Sequence, residues 1–322
     1  MNKRIIAIKI SMFFVILISI FTYLSVLVYP KDNYNEYEWN TISQKGIISE
    51  ADNTIDLIIL GNSEADTSFN NIELYNEYGI TSYGLGSPAQ KVYESIDYLN
   101  LALKNQQPKY VLIECNFLFS KATDIEITNN NFKNVFPLLR YHHRLFSLTK
   151  KDFLFQYDYS YNNVMKGYRF LYGSNPPVDM SGYMLHSSIS EHVLKANDKS
   201  FKKLISKCKQ NDIIPILFSA PSVKSWSYSR HNAVANYAKE FDIEYHDLNL
   251  DNPINIDWST DTSDYGEHVN YLGAKKVTKY FGEYFLNKGL VSHKSEEGYE
   301  KWDESFEIYK EQMCEIGINV YE

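Results

Sequence analysis

Hydrophobic positions along the 322-residue chain form one long block and several short ones. The long block, Ile10 to Tyr29, reads ISMFFVILISIFTYLSVLVY without a charge. At about 1.5 Å per residue it reaches roughly 30 Å, the hydrocarbon thickness of a bilayer. Lys3, Arg4 and Lys9 precede it, while Asp32, Glu36 and Glu38 follow Lys31. That bias sets residues 1–9 in the cytoplasm and the rest of the chain outside. A cleaved signal peptide would have an apolar core of only about 7–15 residues ending in small residues, and Tyr29-Pro30-Lys31-Asp32 is a poor cleavage site. The pattern predicts a single-pass helix over 10–29, anchored in the cell membrane, with the lipid bilayer as its partner.

Residues 30–53 are polar and aperiodic, which predicts a stalk. Beyond them, Ile55–Leu60, Ile80–Leu85, Tyr110–Cys115, Ile213–Ser219 and Ile243–Leu248 are short, nearly continuous apolar runs, as expected of strands buried on both faces. Between and after them, Gln90–Leu103, Glu191–Gln210, Ser225–Glu240 and Asn270–Asn287 repeat with a helical period. Alternating strands and helices predict a domain over 54–290 with a parallel sheet of about five strands and helices on both sides, its functional groups at the carboxyl ends of the strands. The alternation lapses over about 117–185, a Tyr-rich stretch read as an insertion over the functional edge of the sheet. In 291–322, Tyr299, Trp302, Phe306, Tyr309 and Met313 recur at helical spacing, predicting a terminal amphipathic helix packed on its own domain.

A net charge of −8 supplies no basic field for a polyanion, so nucleic acid is not an expected partner. The three cysteines, Cys115, Cys208 and Cys314, lack the paired spacing of a zinc site and are read as ordinary buried residues; neither a metal nor a cofactor is expected. Aromatics make up 15% of the chain, with 27 Tyr, many of them mid-chain. Rings of that kind stack on sugar faces while their hydroxyls bond the polar rim.

The first strand ends in Gly61-Asn62-Ser63, which exposes a serine at a strand-to-loop boundary. By itself this is an ordinary helix cap. Far downstream, Asp261, Asp264 and His268 share one loop just before a helix. A hydroxyl becomes a nucleophile when a neutral imidazole accepts its proton and a carboxylate holds that ring in the right tautomer. Ser63, His268 and one of the two Asp residues would meet that need.

Gly61-Asn62-Ser63 and the run Asp264-x-x-x-His268-Val269-Asn270-x-x-Gly273-Ala274 resemble the two end blocks of the SGNH/GDSL hydrolase superfamily. In particular they resemble its membrane-anchored branch, which includes the D-alanyl transfer protein of teichoic acid synthesis and the alginate acetylation proteins. The resemblance implies a three-layer α/β/α, flavodoxin-like fold, with Ser63 as nucleophile and His268 as base. The family usually sets its Asp three residues before the His, a place held here by Tyr265, so the orienting carboxylate is Asp264 or, with a wider turn, Asp261. The implied oxyanion donors are the N–H of Ser63, that of Ala89 or Gly86, and Asn116, which lacks the Gly that precedes the family's Asn. His142, His143 and Arg144 are read as facing an anionic or sugar substrate, or solvent.

The expected activity is an extracytoplasmic esterase or O-acyltransferase acting on acyl groups, foremost acetyl, of a cell-surface polysaccharide or teichoic-acid-like polymer. A transferase would take a multi-span membrane O-acyltransferase as partner. A non-catalytic module that binds glycan or scaffolds a synthesis complex is the alternative. A phosphate-binding reading of Gly61-Asn62-Ser63 is disfavoured by the lack of a P-loop Lys.

Overall fold

The structure, a computed structural model, describes residues 3–37 and 41–321, so residues 38–40 of the expected stalk lie outside the described residues. The elements run in chain order α1 (Lys3–Val28), α2 (Ile42–Lys45), β1 (Leu57–Leu60), α3 (Ser63–Ser68), α4 (Asn71–Tyr78), β2 (Ser82–Gly84), α5 (Val92–Ala102) and β3 (Tyr110–Glu114). They continue as α6 (Asp124–Val135), α7 (Leu138–Tyr141), α8 (Lys150–Phe153), α9 (Lys195–Gln210), β4 (Ile214–Ser219), α10 (Tyr228–Phe241), β5 (Tyr245–Asp247), α11 (Tyr271–Asn287) and α12 (Glu300–Glu315). The chain divides into two compact units: Met1–Tyr37 with Thr123–Tyr161, and Glu38–Ala122 with Asn162–Glu322.

The larger unit holds a five-stranded sheet in the order β2-β1-β3-β4-β5, every pair parallel. Successive residues of one strand face opposite sides, so each strand feeds two cores. Ile58, Leu60, Val111, Ile113 and Leu217 pack with Val92, Leu99, Phe201 and Leu204 on one side. Leu57, Ile59, Leu112, Ile216 and Phe218 pack with Phe69, Val277, Phe281 and Phe285 on the other. This is the three-layer α/β/α, flavodoxin-like arrangement expected from the alternation. In that order the chain reverses direction between β1 and β3, the switch point where open α/β sheets leave a crevice for ligands.

The short helices α3 and α4 are not anticipated by the hydrophobic pattern. Each follows an Asn whose side chain accepts a backbone N–H of the first turn, Asn62 from Glu64 and Asn70 from Glu73. Residues 41–50 depart from the expected stalk: Ile47 is fully buried, Gln44 bonds the Gly86 carbonyl, and Tyr83 donates to the Ser43 carbonyl at 2.7 Å. One helical turn is too short for a period to register, and packing decides its place. Glu50 ends this segment in a buried ion pair with Lys166 at 2.8 Å. Helix α12 packs on its own unit through Trp302, Phe306, Tyr309 and Met313. Cys115 and Cys208 are buried, but Cys314 is exposed, because it falls on the outer face of α12.

In the smaller unit α1 is long and apolar enough to cross a membrane. Its end is built from charges. Lys31 folds back to cap the helix, Nζ donating to the carbonyls of Val26 at 2.7 Å and Tyr29 at 2.6 Å. Arg144 donates to the Val28 carbonyl at 2.7 Å and pairs with Glu36 at 2.6 Å and Asp152 at 2.8 Å. This corrects the reading of Arg144 as a substrate-facing residue: it is buried and its guanidinium is engaged by helix-end and carboxylate acceptors. His142 and His143 are exposed in the same unit. The expected insertion over 117–185 is likewise two pieces, since residues 123–161 pack with α1 while residues 162–185 belong to the sheet unit.

Candidate active site

The site begins where β1 stops. Gly61 has φ +153°, and a Cβ there would lie 2.7 Å from the Cβ atoms of both Ala65 and Glu114, so only glycine lets the chain turn this close to β3. Ser63 then opens α3 as its first residue. Its hydroxyl donates to Glu64 Oε2 at 3.2 Å. Glu64 Oε1 accepts from Asn116 Nδ2 at 2.6 Å, and Asn116 Oδ1 accepts from Arg230 at 2.7 Å. Asn116 follows β3, so the two loops of the switch point are stitched together by one carboxylate. The backbone N–H of Asn116 donates to Glu114 Oε2 at 2.9 Å, while Glu114 Oε1 is buried with no partner among the described residues. Burial pushes the Glu64 and Glu114 carboxyls up, Glu114 furthest because it is wholly enclosed and stands beside Glu64; His268 works in the opposite direction on Glu64. Both carboxyls are thereby biased toward their protonated form relative to isolated ones.

The second half of the site is the loop before α11. Tyr265 and Gly266 both adopt left-handed φ, 63° and 84°, which tightens the loop until Asp264 reaches back under His268. Asp264 Oδ2 lies 2.5 Å from His268 Nδ1, and Oδ1 accepts the His268 backbone N–H at 2.7 Å. His268 Nε2 is buried and has no hydrogen-bond partner among the described residues. Asp261 is placed otherwise. It accepts from Lys276 at 2.5 Å and from the Asp257 backbone at 2.9 Å, which makes it a strut of the loop rather than a contact of the imidazole. Asn270, two residues past His268, caps α11 by accepting from the N–H groups of Leu272 and Gly273, and its amide donates to the carbonyls of Gly173 and Thr260, both at 2.7 Å.

Residues 162–185 hold this loop in place, a role the aromatic composition does not reveal. The Asn175 carbonyl accepts from Tyr265 N at 2.8 Å, and its side chain donates to the Ser263 carbonyl at 2.6 Å. Arg169 forks onto Asp66 of α3 with contacts of 3.0–3.2 Å. Burial pushes the Asp66 carboxyl up to about 6, with Arg169 and His268 pulling against that rise. A polar residue at a helix's first turn followed by a distant lone Arg is too common a sequence pattern to single out this pair.

Of the expected oxyanion donors, Ser63 stands at the N-terminus of α3, where backbone N–H groups have no intrahelical acceptor. Gly86 presses against the same turn: a Cβ on it would lie 3.1 Å from the Asn62 carbonyl oxygen and 3.2 Å from Asp66 N. Ala89 lies farther along the loop, exposed, at φ 57°. Asn116 reaches the site, but through Glu64, which takes its amide hydrogen.

No protein-family model matches the chain, and none of the curated proteins matches it. Among solved structures it is similar to a proposed acylhydrolase of Bacteroides fragilis NCTC 9343, at 13% identity and a TM-score of 0.40, covering 78% of this chain and 99% of the other. It is also similar to a GDSL-like lipase of Bacteroides thetaiotaomicron VPI-5482, at 12% identity and a TM-score of 0.36, covering 73% and 88%.

Proposed function

We propose that the chain is a membrane-anchored serine acyl hydrolase or O-acyltransferase of the SGNH type, which acts outside the cell on acyl esters of a surface glycan. The observation that carries the reading is the Asp264–His268 pair, which holds Nδ1 and leaves a buried Nε2 without a partner among the described residues, while the Ser63 hydroxyl is held by Glu64, a carboxyl that feels the His268 charge. A ring held by a carboxylate on one nitrogen and vacant on the other is the form a general base takes.

In the proposed reaction the Ser63 hydroxyl turns from Glu64 to His268 and attacks the ester carbonyl carbon as Nε2 accepts its proton. Asp264 stabilises the imidazolium. The oxyanion of the tetrahedral intermediate is met by the N–H of Ser63 together with that of Gly86 or Ala89. Collapse breaks the ester bond, the departing alcohol takes the proton from His268, and an acyl-Ser63 remains. Attack by water releases the acid; attack by a sugar hydroxyl transfers the group to a second polymer. The uncharged run of α1 and the Lys/Arg bias before it support an anchor with this unit outside.

The alternative of a non-catalytic glycan-binding module draws support from the Ser63 hydroxyl facing Glu64 and the Asn116 amide being engaged. One experiment separates the two. The full-length protein in detergent should hydrolyse a small acetyl ester, lose that activity in both Ser63→Ala and His268→Ala, and be labelled at Ser63 by a serine-reactive phosphonate. Equal turnover by all three proteins would reject the catalytic assignment. Adding oligosaccharide to the wild type then separates hydrolysis from transfer through the fate of the acyl group.

A further inference from the structure

We propose that residues 124–155 form a collar embedded in the outer leaflet, a second membrane contact beside the spanning helix. The inference rests on the reading of α1 as an anchor and is otherwise independent of the catalytic assignment.

The depth follows from α1 itself. Its uncharged run only just matches the hydrocarbon thickness, so whatever packs against its last turns shares their depth. From Ile10 to Ile20 the helix is exposed, whereas Ser25, Leu27 and Val28 are buried. The Phe136 ring meets that of Phe21 edge-on, 5.3 Å between centroids, and the Leu138 N–H donates to Ser25 Oγ at 3.3 Å. Phe21 lies seven residues before Val28, about 10 Å down the helix axis. Phe136 therefore enters the hydrocarbon of the outer leaflet, and its neighbours are carried in with it.

Those neighbours suit lipid. Ile125, Phe132, Val135 and Leu139 are exposed apolar residues at helical spacing along α6 and its continuation, and Phe146 is 94% exposed. The opposite face is polar, and part of it is tied internally: Arg140 donates to Asn130 at 2.7 Å and Asn134 at 3.0 Å. The start of α6 is closed by a Thr123–Glu126 capping box, so few backbone donors are left for water that would be scarce there. Lys133, Lys150 and Lys151 are exposed, as fits a rim among phosphate headgroups.

The test uses full-length protein carrying Cys314→Ser, reconstituted in phosphatidylcholine/phosphatidylglycerol vesicles, with an environment-sensitive fluorophore on one cysteine at a time: Val135→Cys, Phe146→Cys, Leu17→Cys in the span or Lys239→Cys on the sheet unit. The fluorophores at 135 and 146 should lose emission to lipid-borne nitroxide and resist aqueous iodide, as the one at 17 does, while the one at 239 behaves oppositely. If position 17 is lipid-quenched but 135 and 146 are open to iodide, the anchor stands, the collar is overturned, and the apolar stripe is left for a protein partner. If position 17 itself is open to iodide, anchor and collar both fall.

Discussion

At the scale of single residues, the site depends on which carboxylate holds the imidazole. Asp264→Asn keeps one oxygen for the His268 backbone N–H but turns an NH2 toward Nδ1, which imposes the wrong tautomer and removes the charge; it should lower kcat about 10²–10⁴-fold while leaving the thermal midpoint nearly unchanged, since Asp264 is a partly exposed loop residue. Asp261→Asn should do the reverse: little loss of kcat per folded molecule, but a lower midpoint, because the bond from the buried Asp261 carboxylate to the half-buried Lys276 is weakened. Parallel kinetics and melting curves of the two variants check both. Sequence alone brought both candidates onto one loop. Spacing favours Asp264, which needs only a one-residue loop adjustment against the wider turn of Asp261, but it does not reveal the left-handed φ angles at Tyr265 and Gly266 that make that adjustment. Glu114 supplies a second residue-scale test. Its carboxyl is raised in the folded state above its unfolded value, so the stability it contributes is complete below the ordinary Glu range and is lost as pH rises through the folded value. Glu114→Gln keeps the neutral shape and drops that slope. Denaturant midpoints should therefore show the variant gaining on the wild type from pH 5 to pH 9.

Elements were legible in proportion to how many residues repeat a signal. Five parallel strands read as apolar blocks, four of them largely buried and β5 at the edge half-buried, and α9, α10 and α11 read as periodic stretches, because each recruits a core on a fixed face. Helices α3 and α4 escaped, being little more than a turn or two held by Asn62 and Asn70. The same caps make a prediction. Asn270 satisfies two N–H groups of α11 and ties the His268 loop to Gly173, so Asn270→Ala should cost about 1–2 kcal/mol of stability and also lower kcat, through a loosened imidazole. Denaturation and steady-state kinetics of one preparation read both effects. Gly61 is the stricter case, since any side chain there meets Ala65 and Glu114 together, and the turn that presents Ser63 has nowhere to go.

On the scale of the whole molecule, the sheet unit is closed by its last helix through polar as well as apolar contacts. Tyr271 of α11 and Tyr309 of α12 both donate to the buried Glu73 of α4, at 2.6 and 2.8 Å. Tyr309→Phe leaves that carboxyl with one donor and should cost about 1–3 kcal/mol in chemical denaturation. The helical spacing of Trp302, Phe306, Tyr309 and Met313 foretold the packing of α12; it could not foretell the carboxylate on the other side. The aromatic wealth of the middle of the chain was also ambiguous, since composition does not say which partner a ring will meet. In the structure part of it packs with α1 and part braces the loop of His268.

The grip of Arg144 on the end of α1 has a practical outcome. A fragment begun at residue 31, just past the apolar run, would discard Val28 and Ser25 and with them the wall against which residues 123–161 fold. The guanidinium would lose its carbonyl, and Phe136 would lose Phe21. Such a truncated preparation should be sticky and readily nicked by protease between residues 123 and 161 even where its sheet is sound, so the intact polypeptide in a lipid mimic is the proper starting material for enzymology.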